Sequence, residues 1–424
     1  MRLRSSVQLA PLQLQGFRCL FLATLGSSLG TLLAAVALAI DVKDRTGSGL
    51  WVGAVLVVDF LPTIVVGLLL GPLLDRLERR SLMIGADALR VGVFAALPFA
   101  PNAAAVVGLA LVAGLATGFF RPAVYAGIPN LVPDELLPSA NGLLQTVENA
   151  SWTVGPIVGG VLTAAAGPTA AYAINAASFV VSIALVSRIP KRLLQSERAL
   201  SRGHWRDLAD GFGAALRSPS MRAVLVAWGI ASFAMGGTNV ATIFLAKDTL
   251  AAGDVGYGLL FGAIGAGLVL GSFGSSALLA RYGVARAYGG GLVLMAAGDL
   301  GAALSPDIWV AVLACVVVGV GNGLAVACNA LLVQRGTFDL LRGRALTFVM
   351  SVTYLLVGVG DGLGGVFLRP PVSADLPRWI WGGASATLLV GAVAGSLLAR
   401  NLAGETPAEA ERAGEDAAPV AAAN

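Results

Sequence analysis

Charged residues, histidine and cysteine are scarce in this sequence. Asp, Glu, Lys and Arg together make up 12% of its 424 residues, whereas a soluble globular chain carries about 25%. The single histidine and the three cysteines, Cys19, Cys315 and Cys328, have no spacing that suits a metal site or a disulfide framework. We therefore expect no metal and no other cofactor, and the scarcity of charge excludes a largely soluble chain.

The sequence also lacks the signatures of nucleotide and nucleic-acid chemistry. No loop combines glycines with a lysine at the spacing that cradles phosphates, so direct coupling to ATP hydrolysis is not expected. The net charge is +4, but the cations stand between apolar segments rather than along one stripe, so we expect no nucleic-acid partner. Little of the chain remains for a large extramembrane enzyme domain, and we predict that the protein is not an enzyme.

Long apolar segments, in contrast, are abundant. Hydrophobic residues make up 57% of the chain, and its mean hydropathy is +0.82. Because a membrane-spanning helix needs about 20 mainly apolar residues, the chain has room for roughly twelve spans with short connections. We predict an all-α integral membrane protein whose spans 1 to 12 cover residues 17–40, 50–74, 81–100, 104–124, 139–166, 169–186, 223–246, 256–280, 287–304, 308–332, 343–368 and 379–399.

A long polar stretch divides the chain near its middle. The predicted organisation is an N-terminal six-helix half (1–187), a cytoplasmic mid-chain loop (188–222), a C-terminal six-helix half (223–400) and a cytoplasmic tail (401–424). The tail is too polar to bury a core, so we expect it to be disordered.

The two halves resemble each other internally. At an offset of 205 residues, Gly155-Pro156-Ile157-Val158-Gly159-Gly160 in span 5 recurs as Gly360-Asp361-Gly362-Leu363-Gly364-Gly365 in span 11. Glycines four apart let another helix approach closely, and Pro156 bends its helix, so we expect the span 5 motif to form a tight seal. The repeat predicts two pseudo-symmetric halves.

The distribution of positive residues predicts the orientation. Arginine and lysine are concentrated before span 1, in the mid-chain loop and after spans 2, 8 and 10, and few stand in the remaining connections. Cations are retained on the cytoplasmic side, so we predict a multi-pass protein of the cell membrane with both termini cytoplasmic.

The connection after span 2 carries an ordered pattern of glycine, acid and arginines. Residues 71–80 read G-x-L-x-D-R-x-x-R-R, and this pattern resembles the loop between helices 2 and 3 of the major facilitator superfamily of transporters. The resemblance implies a major facilitator fold with substrate bound between the halves. It also implies a gating loop, whose residues are Gly71, Asp75, Arg76, Arg79 and Arg80. In the outward-facing state only, we expect Asp75 to accept hydrogen bonds from the N-terminal end of span 11 and from Arg76 or Arg79.

The glycine motif of span 5 resembles that of the drug:proton antiporter branches of the superfamily. Further matches at 46–48, 86–90, 121–123 and 130–133 are similar to the branch with macrolide-efflux and enterobactin-efflux transporters. Two positions depart from the pattern. Gly30-Thr31 stands where an acid is frequent, and Arg121 lies too close to the cytoplasmic end of span 4 to match a mid-helix arginine, so the proton route cannot be carried over.

Acids embedded in the spans are candidates for proton coupling, because ionisable groups are expensive in hydrocarbon. Glu148 in span 5 ranks slightly ahead of Asp59 in span 2, and Asp361 in span 11 comes next. A structural role is open for each: Glu148 could pair with Arg90, and Asp361 could form a gate contact or lie at a solvated helix end.

Other polar and aromatic residues have two interpretations each, one structural and one functional. Asp87 and Arg90 lie three apart on one helical face, which favours an internal ion pair. Five residues are candidates for lining a substrate cavity, although packing between helices accounts for them equally well. These are Asn239, Asn322, Asn329, Trp152 and Trp228.

Together these features predict a secondary transporter that exports a lipophilic small molecule, such as a drug, a macrolide-like compound or a siderophore, in exchange for protons by alternating access. Two alternatives are open: a proton-coupled importer on the same fold, and a membrane sensor or scaffold that does not transport. The expected partners are the substrate, protons and the lipid bilayer, and the expected state is a monomer.

Overall fold

The computed structural model describes residues 8–69, 77–194, 219–335 and 342–400. Within these ranges the regular structure is helical. The α-helices, numbered in chain order, are α1 (Gln15–Thr46), α2 (Gly49–Leu69), α3 (Arg79–Ala96), α4 (Ala103–Gly127), α5 (Leu137–Ala166), α6 (Pro168–Ser187), α7 (Pro219–Phe244), α8 (Gly253–Ala303), α9 (Ile308–Arg335), α10 (Arg342–Phe367) and α11 (Leu376–Arg400).

Short helical turns join some of these helices. A π-helical turn at Leu245–Thr249 extends α7. The 3₁₀ turns are Ala10–Gln13, Leu97–Phe99, Ile128–Asn130, Asp134–Leu136 and Lys191–Leu193. The predicted tail and most of the predicted mid-chain loop lie outside the described residues.

Helix α8 is more than twice as long as a membrane span requires. Its 51 residues contain Gly283, whose φ of 76° and ψ of 165° break the helical path. This backbone region strongly favours glycine, because a side chain would be strained there. The break falls between predicted spans 8 and 9, at 256–280 and 287–304.

Eight helical stretches of the described residues are long and apolar enough to cross a membrane, counting Gly253–Ala303 as one. The structure is therefore that of an all-helical, multi-pass membrane protein. The number of twelve spans stays a prediction.

Connections gather at two ends of the bundle. The α1–α2 end comprises residues 41–49, 97–102, 245–254 and 368–376, and the α2–α3 end comprises residues 77–80, 126–137 and 187–194. Hydrogen bonds tie the connections together at each end. Arg45 donates to the Ala100 carbonyl at the first, and Arg79 donates to the carbonyls of Ala126 and Leu194 at the second.

Four apolar clusters form the interior. Two consist of residues from 17 to 194, and a third consists of residues from 221 to 392. The fourth joins residues 36–52 to residues 240–381 near the α1–α2 end, and it includes the fully buried Trp381. Helices before and after the mid-chain stretch thus have cores of their own and share one.

Candidate functional site

The glycine motif of α5 packs against two different helices. A Cβ atom added at Gly159 would lie 2.6 Å from the Leu33 carbonyl oxygen of α1. One added at Gly160 would lie 2.6 Å from the Asp254 carbonyl oxygen and 3.0 Å from Gly258 Cα, both in α8. Contacts this close require glycine, so the motif brings α5 into backbone contact with α1 on one side and α8 on the other.

The second copy of the motif repeats this arrangement on α10. A Cβ at Gly360 would lie 2.2 Å from the Phe233 carbonyl oxygen of α7. One at Gly365 would lie 2.7 Å from the Gly49 carbonyl oxygen at the start of α2. The helix pairs α5–α8 and α2–α10 therefore form two similar glycine-lined seams between the chain segments before and after residues 195–218.

Both seams start at the α1–α2 end. In the α2–α10 seam, Gly49 N donates a 2.7 Å hydrogen bond to the Leu368 carbonyl. The α5–α8 seam continues from Gly160 to Trp152, whose carbonyl lies against Gly265. Glu148 lies one turn beyond Trp152 along α5, towards the α2–α3 end.

Glu148 is held by two side chains of α4. Its Oε1 accepts hydrogen bonds from Arg121 Nη2 and from the Tyr125 hydroxyl, each at 2.9 Å. The Arg121 side chain is 46% exposed and the Glu148 side chain 18%. Charged groups in a membrane protein avoid lipid, so this exposure indicates an aqueous space. Tyr354 of α10 lies within electrostatic range of Arg121, which places the opposite part of the chain nearby.

This cluster corrects one interpretation of the sequence and adds a contact that the sequence did not predict. Glu148 pairs with Arg121 rather than with Arg90, since Arg90 is taken by another acid. Arg121 lies six residues before the end of α4, but side chains on a helix point back towards its N-terminus. The guanidinium therefore reaches deeper into the bundle than its Cα, and Arg121 does meet an embedded acid.

Asp87 and Arg90 form a buried ion pair through Oδ1 and Nη2. The Arg90 guanidinium lies between the rings of Phe120 and Phe179, 4.5 and 4.3 Å from their centroids. A cavity of about 40 Å³, lined in part by Thr31 and Arg90, adjoins this pair. The packing suits a structural role, as the spacing of three residues on one helix predicts.

Of the two remaining acids, the structure describes the surroundings of Asp361 but not the side chain of Asp59. Asp361 is 0% exposed, and its carbonyl lies against Gly53 of α2, so it does not lie at a solvated helix end. Asp59 belongs to α2, and its side chain is outside the described part of the structure. Their roles in proton coupling stay predictions.

The gating loop is described only from residue 77. Gly71, Asp75 and Arg76 lie outside the described residues, and with them the predicted contact of Asp75. Arg79 and Arg80 donate to carbonyls at the ends of α4 and α6 and at Leu194.

Glu78, next to Arg79, bridges to Lys191 at 3.3 Å. A hydrogen bond from Ser81, and then one from Lys191, lower the pKa of Glu78. The described part of the loop thus tethers the α2–α3 end within the first 194 residues.

The cavity candidates fall into two groups. Trp228 lies in the apolar cluster of the second part of the chain, and Asn322 and Asn329 are buried, Asn322 Nδ2 being 3.9 Å from Met235 Sδ. Asn239 is half-buried, and Trp152 is 40% exposed. Trp152 alone of the five therefore combines wide exposure with proximity to Glu148.

Sequence reasoning missed a group of charges at the α1–α2 end. Lys43 of α1 contacts Asp248 at 3.0 Å, and Lys247 contacts Asp44 at 2.5 Å. The signal in the sequence is a Lys-Asp dipeptide that occurs twice, 204 residues apart, with a glycine six residues after each lysine. The offset of 205 found from the glycine motif misaligns the two dipeptides by one position.

Searches against known proteins give concordant matches. A family model described as "Transmembrane secretion effector" matches residues 6–411. An uncharacterised MFS-type transporter of Bacillus subtilis, YkuC, is 28% identical over 252 residues, which cover 56% of this chain and 58% of that protein. Macrolide efflux protein A of Streptococcus pyogenes is 27% identical over 198 residues, 45% of this chain and 49% of that one. The matched stretches span about half the length of these curated relatives.

Among solved structures, a bacterial homologue of the iron transporter ferroportin in an inward-facing state matches with a TM-score of 0.72. The match covers 91% of this chain and 98% of the other at 16% identity. At this identity the likeness shows a shared fold.

Proposed function

Because the chain belongs to the transmembrane secretion effector family of major facilitator transporters, we propose that it exports a lipophilic small molecule in exchange for protons by alternating access. The family assignment makes it a secondary transporter rather than an enzyme. Export is favoured by the relatives, which include macrolide efflux protein A, and by the glycine motif of α5.

The proposed architecture is twelve spans in two pseudo-symmetric halves, 1–187 and 223–400. The break at Gly283 supports counting α8 as two spans, and the two glycine-lined seams support the internal pseudo-symmetry. With both termini cytoplasmic, the α1–α2 end faces outward and the Glu148 cluster opens towards the cytoplasm. The described conformation is then inward-facing.

The Arg121–Tyr125–Glu148 cluster is the observation that carries the coupling proposal. Glu148 is an acid embedded in a span, and its Oε1 accepts hydrogen bonds from one cation and one hydroxyl. For export in exchange for protons, the proton must enter from outside and leave inside. Protonation of Glu148 while the outer side is open would release Arg121, and re-formation of the Arg121 and Tyr125 contacts when the inner side reopens would release the proton to the cytoplasm. Glu148 is therefore the proposed proton carrier, and Trp152 lines the adjoining space for an apolar substrate.

The test uses purified protein in vesicles with an imposed pH gradient and a fluorescent lipophilic dye. We expect Glu148→Gln to abolish uphill dye transport and to keep downhill exchange, because binding remains while the proton step is lost. Glu135→Gln provides the matched control, since Glu135 is an exposed acid beside the same helix.

Uphill transport by the Glu148→Gln protein at the parent's rate would exclude Glu148 as the carrier. Dye movement in the reverse direction under the same gradient would favour import. A screen of drug classes and siderophores in an efflux-deficient host would identify the substrate.

A further inference from the structure

Two salt bridges at the α1–α2 end join the parts of the chain before and after the mid-chain stretch. Lys43 Nζ lies 3.0 Å from Asp248 Oδ2, and Lys247 Nζ lies 2.5 Å from Asp44 Oδ1. Each Lys-Asp dipeptide thus supplies the cation of one bridge and the anion of the other. The lysine side chains are 11% and 16% exposed, whereas Asp248 and Asp44 are 39% and 52% exposed, so each bridge joins an enclosed cation to an exposed acid.

The two bridges differ in what surrounds them. Lys43 Nζ also lies 4.6 Å from the centre of the Phe244 ring. Both described partners of the Lys43 side chain, Asp248 and Phe244, therefore belong to the second part of the chain. Lys247 additionally contacts Asp254 at 2.6 Å, and Asp254 belongs to the same part of the chain as Lys247. If the two parts separated at this end, Lys247 would keep one partner and Lys43 would lose its carboxylate and its ring.

We propose that Lys43, Asp44, Lys247 and Asp248 form a reciprocal latch that holds the α1–α2 end closed. The latch lies beyond the glycine-lined seams, where Gly49 bonds to Leu368, so its opening precedes separation of the seams. The Lys43–Asp248 bridge is its stronger element, since both described partners of the Lys43 side chain, Asp248 and Phe244, lie across the gap. This inference rests on the proposed alternating-access function, in which this end opens to release substrate.

The test measures opening of this end directly, without substrate. A cysteine at Val240, which is 0% exposed and lies two turns before Lys247, reports access in a protein whose three native cysteines are replaced. An impermeant maleimide is added to intact cells and, in parallel, to inverted vesicles. Because the reagent then reaches both faces of the membrane, the result does not depend on the orientation of the chain. We expect Lys43→Asp to raise the labelling rate several-fold and Lys247→Asp to raise it less.

The charge exchange Lys43→Asp with Asp248→Lys should return labelling to the parent rate, because it restores opposite charges across the gap. Lys191→Asp is the matched control, since Lys191–Glu78 is also a lysine–carboxylate pair but lies at the α2–α3 end within one half.

Unchanged labelling in Lys43→Asp, or a double variant labelled as fast as the single one, would overturn the latch. Membrane abundance of each variant, measured in the same cells, separates opening from misfolding, and a poorly inserted Lys43→Asp is replaced by Lys43→Gln. Dye export by the parent is scored separately, so failure of the transport proposal is distinguishable from failure of the latch.

Discussion

Arg90 is stabilised by one acid and two aromatic rings. Its guanidinium pairs with Asp87 and lies between Phe120 and Phe179, with the arginine side chain 4% exposed and the aspartate 0%. Taking two charges out of water is expensive, and the pair persists because each charge compensates the other. Loss of one partner is therefore far more damaging than loss of both.

We expect Arg90→Met to lower the free energy of unfolding by about 3–5 kcal/mol, because it leaves the Asp87 carboxylate buried without its cation. The double variant Asp87→Leu with Arg90→Met should recover most of that loss. Thermal unfolding of the purified protein in detergent measures both.

Lys191→Ala is the comparison, since water screens that exposed pair and its loss should change the free energy of unfolding far less. Equal losses in the single and double variants at Arg90 would show that the side chains matter for packing rather than for charge.

Sequence reasoning at this scale succeeded within a helix and failed between helices. Asp87 and Arg90 are three residues apart, so helical geometry alone brings them together. Glu148 and Arg121 are 27 residues apart on different helices, and their pairing depends on how α4 and α5 pack and on the direction of the arginine side chain. Lys43 and Asp248 are farther apart still, and only the fold brings them together.

At the scale of elements, helices α5 and α8 approach each other through glycine. Gly160 and Gly258 face one another so closely that a Cβ on either would lie 3.0 Å from the Cα of the other. The same helix has Gly142, where an added Cβ meets nothing within 4 Å. These two positions separate the effect of helix contact from that of helix propensity.

We expect Gly160→Ala to push α5 away from α8, to raise labelling of a cysteine at Val240 and to reduce dye export several-fold. Gly142→Ala should leave both unchanged, because the new methyl group has room. Maleimide labelling and transport in vesicles measure the two effects.

The second seam gives an independent comparison, Gly365→Ala against Gly362→Ala, since only Gly365 faces α2 closely. Parent-like labelling and export in both Gly160→Ala and Gly365→Ala would contradict a sealing role for the motif.

The close contact at the glycine motif could be predicted from the sequence because it depends only on the absence of side chains. The sequence predicted a tight seal at 155–160 but not its partners, since spacing says nothing of which helix approaches. Span limits were approximate for a similar reason: α3 begins at Arg79 rather than at Ser81, because a helix continues into the polar turn for as long as its backbone is satisfied.

At the scale of the whole molecule, orientation in the bilayer decides which end is outer. Phe99 is 84% exposed at the α1–α2 end, and Arg192 is exposed at the α2–α3 end. In intact cells we expect a cysteine at Phe99 to react with an impermeant maleimide and a cysteine at Arg192 to be protected, because cations are retained inside. Permeabilised cells, in which both should react, are the control, and the reverse pattern would contradict cytoplasmic termini.

The fold class was predictable because composition and segment length reflect the bilayer directly. The sequence predicted an interruption between residues 280 and 287, but hydropathy does not show that the helical path breaks at Gly283, because that depends on one residue with a positive φ. Hydropathy also cannot show which end of the bundle is closed, because the same helices are present in every conformation.

The reciprocal pairing of the two Lys-Asp dipeptides has the form of an isologous interface, in which residue i of one subunit contacts residue j of its copy and j contacts i. Here both copies stand in one chain, at 43–44 and 247–248. A segment that carries its own cation and its own anion fits a duplicate of itself without any further change. Because a substitution in either dipeptide is compensated only by a change in the other, we expect the two to vary together among related chains.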